Sequence, residues 1–380
     1  MPSTTAESSP ELDLLIRTTR AFLDRDMPLA RVRELHASGQ SFDRQWWKRA
    51  AELGWTALLI PESLGGGSIT GCGINDLMSL LEQLGRTVAP GPLIPVSVVA
   101  SALAGADGAH QTIIDGLLDG SVVAAWAVDE PGQPFGSIPA TAATPTAQGY
   151  RINGVKDRVE GGTHCDVLLV SALCSGGVAQ FLVPAGARGV SVLPSPTVDL
   201  VRDYATVYFD GVEVGSAEIV GSVAAPPVAI ARQTYIAALL QCAETVGALD
   251  AIFDMTVLWA QERTSFGRPL SSYQALKHRF ADMKTQLEAC RAILAAARRA
   301  FTTEPETAGL AVSAAKAYIG EYSIAIAQEC VQLHGGIGVT WEHDLHVYLR
   351  RIEVNRALFG TTEEHQENVY RYVEQTEVSR

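Results

Sequence analysis

Two adjacent carboxylates, Glu363 and Glu364, follow a Gly360-Thr361 step in the stretch ALFGTTEEHQ. A carboxylate held against a carbon acid can serve as a general base. The same residues also spell a helix start. In Thr361-x-x-Glu364 the Thr side chain takes one free backbone N–H and the Glu takes another, and acids in a first turn suit the helix dipole. By these local rules the cap is the stronger reading. Three more segments break the pattern around them. RTSFGRPLSSYQ (263–274) reads locally as a helix–helix connection, with Ser271-x-x-Gln274 as a second capping box. QLHGGIGVTWEHDLHVYLRR (332–351) carries paired glycines that read as a helix C-cap. EPGQPFGS (130–137) reads as a turn. His334, His343 and His346 lie in a glycine turn and a helix start with no ligand spacing, so no metal site is expected. Arg350 and Arg351 read as helix-terminal ion-pair partners of little energetic weight. Trp46 and Trp47 read as core and surface packing of one amphipathic helix.

The elements that must position these residues fall into three textures. Residues 10–118 show apolar positions three and four apart, as in ELDLLIRTTRAFLDRD and INDLMSLLEQLGR, and predict helices. LIPESLGGGS (59–68) is a Pro/Gly loop between them. From Ser121 the segments become short, β-branched and broken by Gly or Pro, which predicts strands. There, RINGV and FDGVEV carry the N-G and D-G signals of hairpins. From about Pro226 long apolar-periodic helices return, and their number predicts a bundle. The expected fold class is α+β. It comprises an N-terminal helical domain (1–120), a central antiparallel β-domain (121–222) and a C-terminal four-helix bundle (223–380).

Composition narrows the classes. With 29 basic and 42 acidic residues among 380, the formal charge is −13, which disfavours nucleic-acid binding. Six scattered cysteines with no C-x-x-C disfavour a disulfide framework or a zinc site and fit a reducing compartment. The first residues lack a basic and an apolar region, so no signal peptide is expected. LIPVSVVASALAGA (93–106) is too short to span a bilayer. A soluble cytoplasmic protein without membrane contact is expected.

Together, and in this order, R-x-x-F-G-x-x-L-x-x-x-Q (263–274) and Q-x-H-G-G-x-G-x-T-x-E (332–342) resemble the acyl-CoA dehydrogenase family. IPESLGGGS and DEPGQPFGS resemble two earlier family segments, so the resemblance spans nearly the whole chain. It implies FAD as cofactor, α,β-desaturation of an acyl thioester, a tetramer, and electron-transfer flavoprotein as acceptor. In such chemistry a carboxylate takes the α-proton and the flavin accepts the β-hydride. The resemblance also implies that Arg263, Phe266, Gln274, Gln332, Gly335, Gly336 and Thr361 bind the cofactor. The first segments would reach across a subunit interface to the ADP half of a neighbour's FAD. Local chemistry agrees. Arg263 offers a planar fork to a pyrophosphate, Phe266 can pack on adenine or ribose, and the paired glycines let backbone approach phosphate.

The departures from the family are as informative. Its commoner base precedes the G-T step, and that position is Phe359. An alternative base position on the preceding long helix falls at about Ala237. Neither residue can take a proton. Glu244 lies roughly 10 Å further along that helix, and Glu363 and Glu364 are the other weak candidates. In the family's K-x-[WF]-I-T stretch, Arg158 stands for the aromatic residue and Glu160 for the Thr, while Asp129 replaces a Thr. Arg158 is also a candidate for a CoA phosphate. The flavin-ring side is altered and the ADP-gripping side retained. This pattern implies the base-lacking subunit of a heteromeric dehydrogenase (α2β2 with a related chain), similar to actinobacterial enzymes that shorten steroid side chains. The alternatives are a homotetramer with a relocated Glu base acting on acyl-CoA or an acyl carrier protein, other flavin chemistry, and a scaffold role.

Overall fold

The computed structural model describes residues 9–106, 109–221 and 226–378. The chain opens with helices α1 (Pro10–Asp26), α2 (Leu29–Ala37), α3 (Arg44–Glu52), α4 (Gly73–Thr87), α5 (Leu93–Ala104) and α6 (Gln111–Leu118). Strands follow: β1 (Ala124–Ala127), β2 (Ala142–Pro145), β3 (Gly149–Glu160), β4 (Val167–Cys174), β5 (Gly177–Pro184), β6 (Val190–Ser195), β7 (Tyr204–Gly215) and β8 (Ile219–Val220). Then come α7 (Pro226–Glu262), the short strands β9 (Thr264–Ser265) and β10 (Arg268–Pro269), α8 (Gln274–Thr303), α9 (Ala308–His334), α10 (Leu345–Ala357) and α11 (Thr362–Val378). The order matches the expected class: helical, then sheet, then helical.

Two compact units emerge from this order. The first gathers the described residues of Met1–Leu80, Pro90–Thr197 and Val201–Ile236, and the second Leu81–Ala89, Val198–Leu200 and Ala237–Arg380. In the first unit, Ser9 caps α1 by accepting from the Leu12 N–H at 3.1 Å, with Pro10 at the first helical position. Asp43 caps α3 by accepting from Gln45 and Trp46. Trp46 and Trp47 are both about 99% buried, which corrects the expected split between core and surface. Trp46, Trp55 and Phe22 pack as a trio with ring centroids 5.7 to 5.8 Å apart, and that aromatic payload fixes α3 against α1.

The sheet runs β6-β7-β3-β2-β4-β5-β8, with β1 beside β4. Its pairs are antiparallel except β1–β4 and the single β2–β4 bridge. One cluster, including Ile152, Val159, Phe181, Val207 and Phe209, forms its core. The N-G and D-G pairs are not hairpin turns. They lie within β3 and β7, opposite each other where the register shifts between Ile152 and Gly154. There the Asn153 side chain accepts from the Gly211 N–H at 2.8 Å. The turn signals mark a bulge, in which a side-chain acceptor replaces an interrupted ladder bond.

In the second unit α7 is apolar on nearly all sides and long enough to cross a membrane, yet its apolar stretch is mostly buried inside the protein, as a core helix should be. It crosses the end of α4 at two glycines. A Cβ on Gly247 would lie 1.9 Å from the Glu82 carbonyl oxygen, and one on Gly85 1.9 Å from that of Glu244. Any side chain there would force the helices apart.

Candidate functional site

Between α7 and α8 the chain turns through the β9–β10 hairpin, pairing Ser265 with Arg268. Its central residues, Phe266 and Gly267, have φ of 50° and 81°. Positive φ at both positions is what a two-residue type I′ turn requires. Glycine meets this without strain, whereas phenylalanine does not. Phe266 is nonetheless 98% exposed. A strained aromatic with nothing beneath it is poorly explained by packing within its own chain. The hairpin is pinned at its base. The Leu270 N–H donates to the Arg263 carbonyl at 2.9 Å, the Tyr273 hydroxyl donates to the Ser265 carbonyl at 2.8 Å, and Arg268 lies over the Tyr273 ring at 3.9 Å. The expected capping box at Ser271 does not form. Here α8 takes Tyr273 as N-cap with no side-chain bond, because a preceding 3-10 turn places the serines one step early. The Ser272 hydroxyl donates instead to the Pro269 carbonyl.

The second segment follows α9, which ends at His334 and is capped by Gly335 at φ 67°. Residues Gly335–Val339 form a 3-10 turn. Arg263, Gln274, Gln332, Gly335 and Gly336 are all exposed, and a Cβ added to Gly267, Gly335 or Gly336 would meet nothing within 4 Å. The chain's own packing therefore does not demand the bare backbone at Gly336. These residues suit the nucleotide half of FAD: a cationic fork, a free aromatic face and glycine backbone with open space beside it. Near this turn the rings of His334 and His343 lie edge to face at 4.6 Å, and Trp341 and His346 stack at 4.4 Å. Burial lowers the His334 pKa from its ordinary value.

The base positions hold no acid. Ala237 is fully buried and Phe359 is 9% exposed. Phe359 also has φ 56°, and its carbonyl accepts from His365 Nε2 at 2.9 Å. Because that carbonyl can only accept, the His365 proton sits on Nε2, leaving Nδ1 to accept from the Ser313 hydroxyl at 3.1 Å. Burial lowers the His365 pKa to about 4. The opening carboxylates resolve as a cap. The Thr361 N–H donates to Glu364 Oε2 at 2.8 Å and the Glu364 N–H to Thr361 Oγ1 at 3.2 Å. Glu363 is exposed and 3.5 Å from Arg356.

Glu244 is wholly buried and bound to Arg351 at 2.7 Å, while the Asn355 amide donates to its other oxygen at 2.9 Å. Arg351 also meets Asp199, and its side chain is completely buried. That corrects its reading as a helix-terminal partner of little weight. It is a core cation between two core anions, and removing it would strand both. Arg350 donates to the Val198 carbonyl at 3.1 Å and lies over Trp341.

In the first unit, the end of β3 is a run of paired charges. Glu130 accepts from Lys156 at 2.8 Å and from the backbone N–H groups of Ala140 and Thr141. Burial pushes the Glu130 carboxyl up, but the hydrogen bonds from Lys156 and Thr141 outweigh it and hold the pKa low. Burial likewise lowers the pKa of Lys156. Asp157 accepts from the Thr206 hydroxyl at 2.8 Å. Arg158, at φ 52° where the register shifts between Lys156 and Val159, lies 3.6 Å from Asp129. Glu160 and Arg202, each about 95% buried, pair at 3.2 Å. Arg202 and His365 are the residues sequence reasoning missed. Arg202 lies in no motif, and His365, although inside the ALFGTTEEHQ stretch, was given no role there; the fold brings them to Glu160 and to the Phe359 carbonyl.

Comparison with known proteins agrees with this architecture. Residues 228–373 match the family model for the acyl-CoA dehydrogenase C-terminal domain, and residues 9–120 match that for the N-terminal domain. Acyl-CoA dehydrogenase IpdE2 of Mycobacterium tuberculosis is 31% identical, covering 93% of this chain and 94% of its own. Among solved structures, the Tcur3481-Tcur3483 steroid ACAD superposes with a TM-score of 0.87 at 29% identity, covering 97% of this chain and 99% of that one. The ChsE4-ChsE5 complex from Mycobacterium tuberculosis gives 0.86 at 28% identity, covering 97% and 98%.

Proposed function

Since the chain belongs to the acyl-CoA dehydrogenase family, we propose that it works as the base-lacking subunit of a heteromeric, FAD-dependent acyl-CoA dehydrogenase. The observation that carries this is an asymmetry. Apolar residues are buried at both base positions, Ala237 and Phe359, while Arg263, Phe266, Gln332, Gly335 and Gly336 are exposed. A related chain with a Glu base and its own ring pocket supplies the other half, giving an α2β2 assembly in the cytoplasm with electron-transfer flavoprotein as acceptor. When bound, FAD supplies hydride acceptance. This chain's own contribution is positional: Arg263 and the Gly335–Gly336 backbone hold the pyrophosphate, and Phe266 covers the adenosine. Glu160 and Arg158 are engaged with Arg202 and Asp129, and their charges do not suit a flavin ring face.

The heteromeric steroid enzymes among the structural relatives favour a bulky acyl-CoA as substrate. One active site per pair of chains would leave room for such a group.

The test is purification of this chain alone and co-expressed with a related chain carrying Glu at the position of Phe359 or Ala237. The pair should hold flavin absorbing near 450 nm and oxidise a steroid-side-chain or similarly bulky acyl-CoA. This chain alone should not turn that substrate over. Turnover by the single chain would sink the reading.

A further inference from the structure

A run of rings connects the two nucleotide-facing segments. The Arg263 guanidinium lies 5.8 Å from the centre of the Trp259 ring, one turn back on α7. Trp259 stacks on His334, with centroids 5.3 Å apart and planes 19° from parallel. His334 is the last residue of α9, next to Gly335. The stack therefore joins the residue before the hairpin to the residue before the glycine turn. His334 is 4% exposed, and its Nδ1 lies 2.8 Å from the Cys330 carbonyl. That carbonyl takes the ring proton, so Nε2 carries a lone pair with no partner among the described residues. A buried histidine with one nitrogen unsatisfied is a costly way to fill space. Stacking on an indole is a geometric role that can hold it there.

We propose that Trp259 and His334 are positioning residues. Their stack sets the Arg263–Phe266 hairpin against the Gly335–Gly336 turn so that both segments address one nucleotide. This rests on the nucleotide-holding role proposed above. Aliphatic replacement of either ring removes the flat contact, and the hairpin then loses its reference to α9. A phenyl ring at position 259 retains that contact.

Full-length chain is titrated with ADP by calorimetry, alongside Trp259→Leu and Trp259→Phe, with a thermal melt of each. Trp259→Leu should weaken ADP binding about tenfold or more, as expected when a charge-assisted contact is misplaced, and Trp259→Phe should restore most of it. Equal ADP affinity for the Leu variant and the unmodified chain would overturn the proposal while leaving the nucleotide-holding role intact. No ADP binding by the unmodified chain would overturn both. If Trp259→Leu melts early, His334→Leu breaks the stack from the other helix, and unchanged ADP affinity in that variant overturns the proposal equally.

Discussion

The tip of the β9–β10 hairpin and the end of β3 share a backbone peculiarity and use it in opposite ways. Phe266 and Arg158 both sit in the left-handed region, at φ 50° and 52°. At the hairpin the strained residue is almost wholly exposed and touches little of its own chain. At the strand end the strained arginine is paired with Asp129, and its neighbour Glu160 with Arg202. Strain persists only where something over-determines it. For Arg158 that something is visible within the chain: a bulge and an ion pair. For Phe266 it is the turn geometry, with the ring left available to another molecule. One region partners its strained residue within the chain, and the other leaves it exposed.

This contrast can be broken by measurement. The largest effect should come from Arg202→Met, which leaves Glu160 buried without its cation. A cost of about 3–5 kcal/mol is expected in urea unfolding, whereas Arg263→Met, at an exposed position, should stay within about 0.5 kcal/mol. Comparable costs for the two would erase the distinction. Next is another left-handed residue, Phe359, whose carbonyl is held by neutral His365. The folded pKa of His365, about 4, lies below the unfolded value of about 6.5. Its contribution is therefore fully present above pH 6.5 and is lost as pH falls toward 4, by about 3 kcal/mol. Acid unfolding of His365→Gln should lack that part of the slope. The smallest effect separates the two strained residues directly. Phe266→Gly should raise stability by about 1 kcal/mol, because it relieves strain and loses almost no contact. Arg158→Gly should gain less, since it forfeits its partly exposed ion pair. Equal gains in denaturant midpoint would mean the Asp129 contact contributes nothing.

Much of the fold was legible because periodicity and texture are local. The helix–sheet–helix order followed from them, and so did the Thr361–Glu364 cap, whose four residues contain all its partners. The hairpin signals failed because N-G and D-G report a local backbone preference, and a bulge uses the same one. Ser271 failed because a 3-10 turn shifts the helix start by one or two residues, a scale that pattern reading does not resolve. For the site, the resemblance to the family, together with residue type, pointed to Phe359 and Ala237 as positions where a base was expected and none stands. The fate of the remaining charges did not follow from type, because Arg351 finds Asp199 across 152 positions and Glu244 across 107. Such pairings exist only after folding.

The anion supplied to Arg351 by the segment Val198–Leu200 also bears on synthesis. That short stretch belongs by its contacts to the second unit, although strands of the first flank it on both sides in the chain. Asp199 leaves the ribosome 152 residues before the arginine that neutralises it. At about 5–20 residues per second, the wait is on the order of 8–30 s. Until then the growing polypeptide must keep this carboxylate in water, so the second unit cannot close around it before Arg351 has been made.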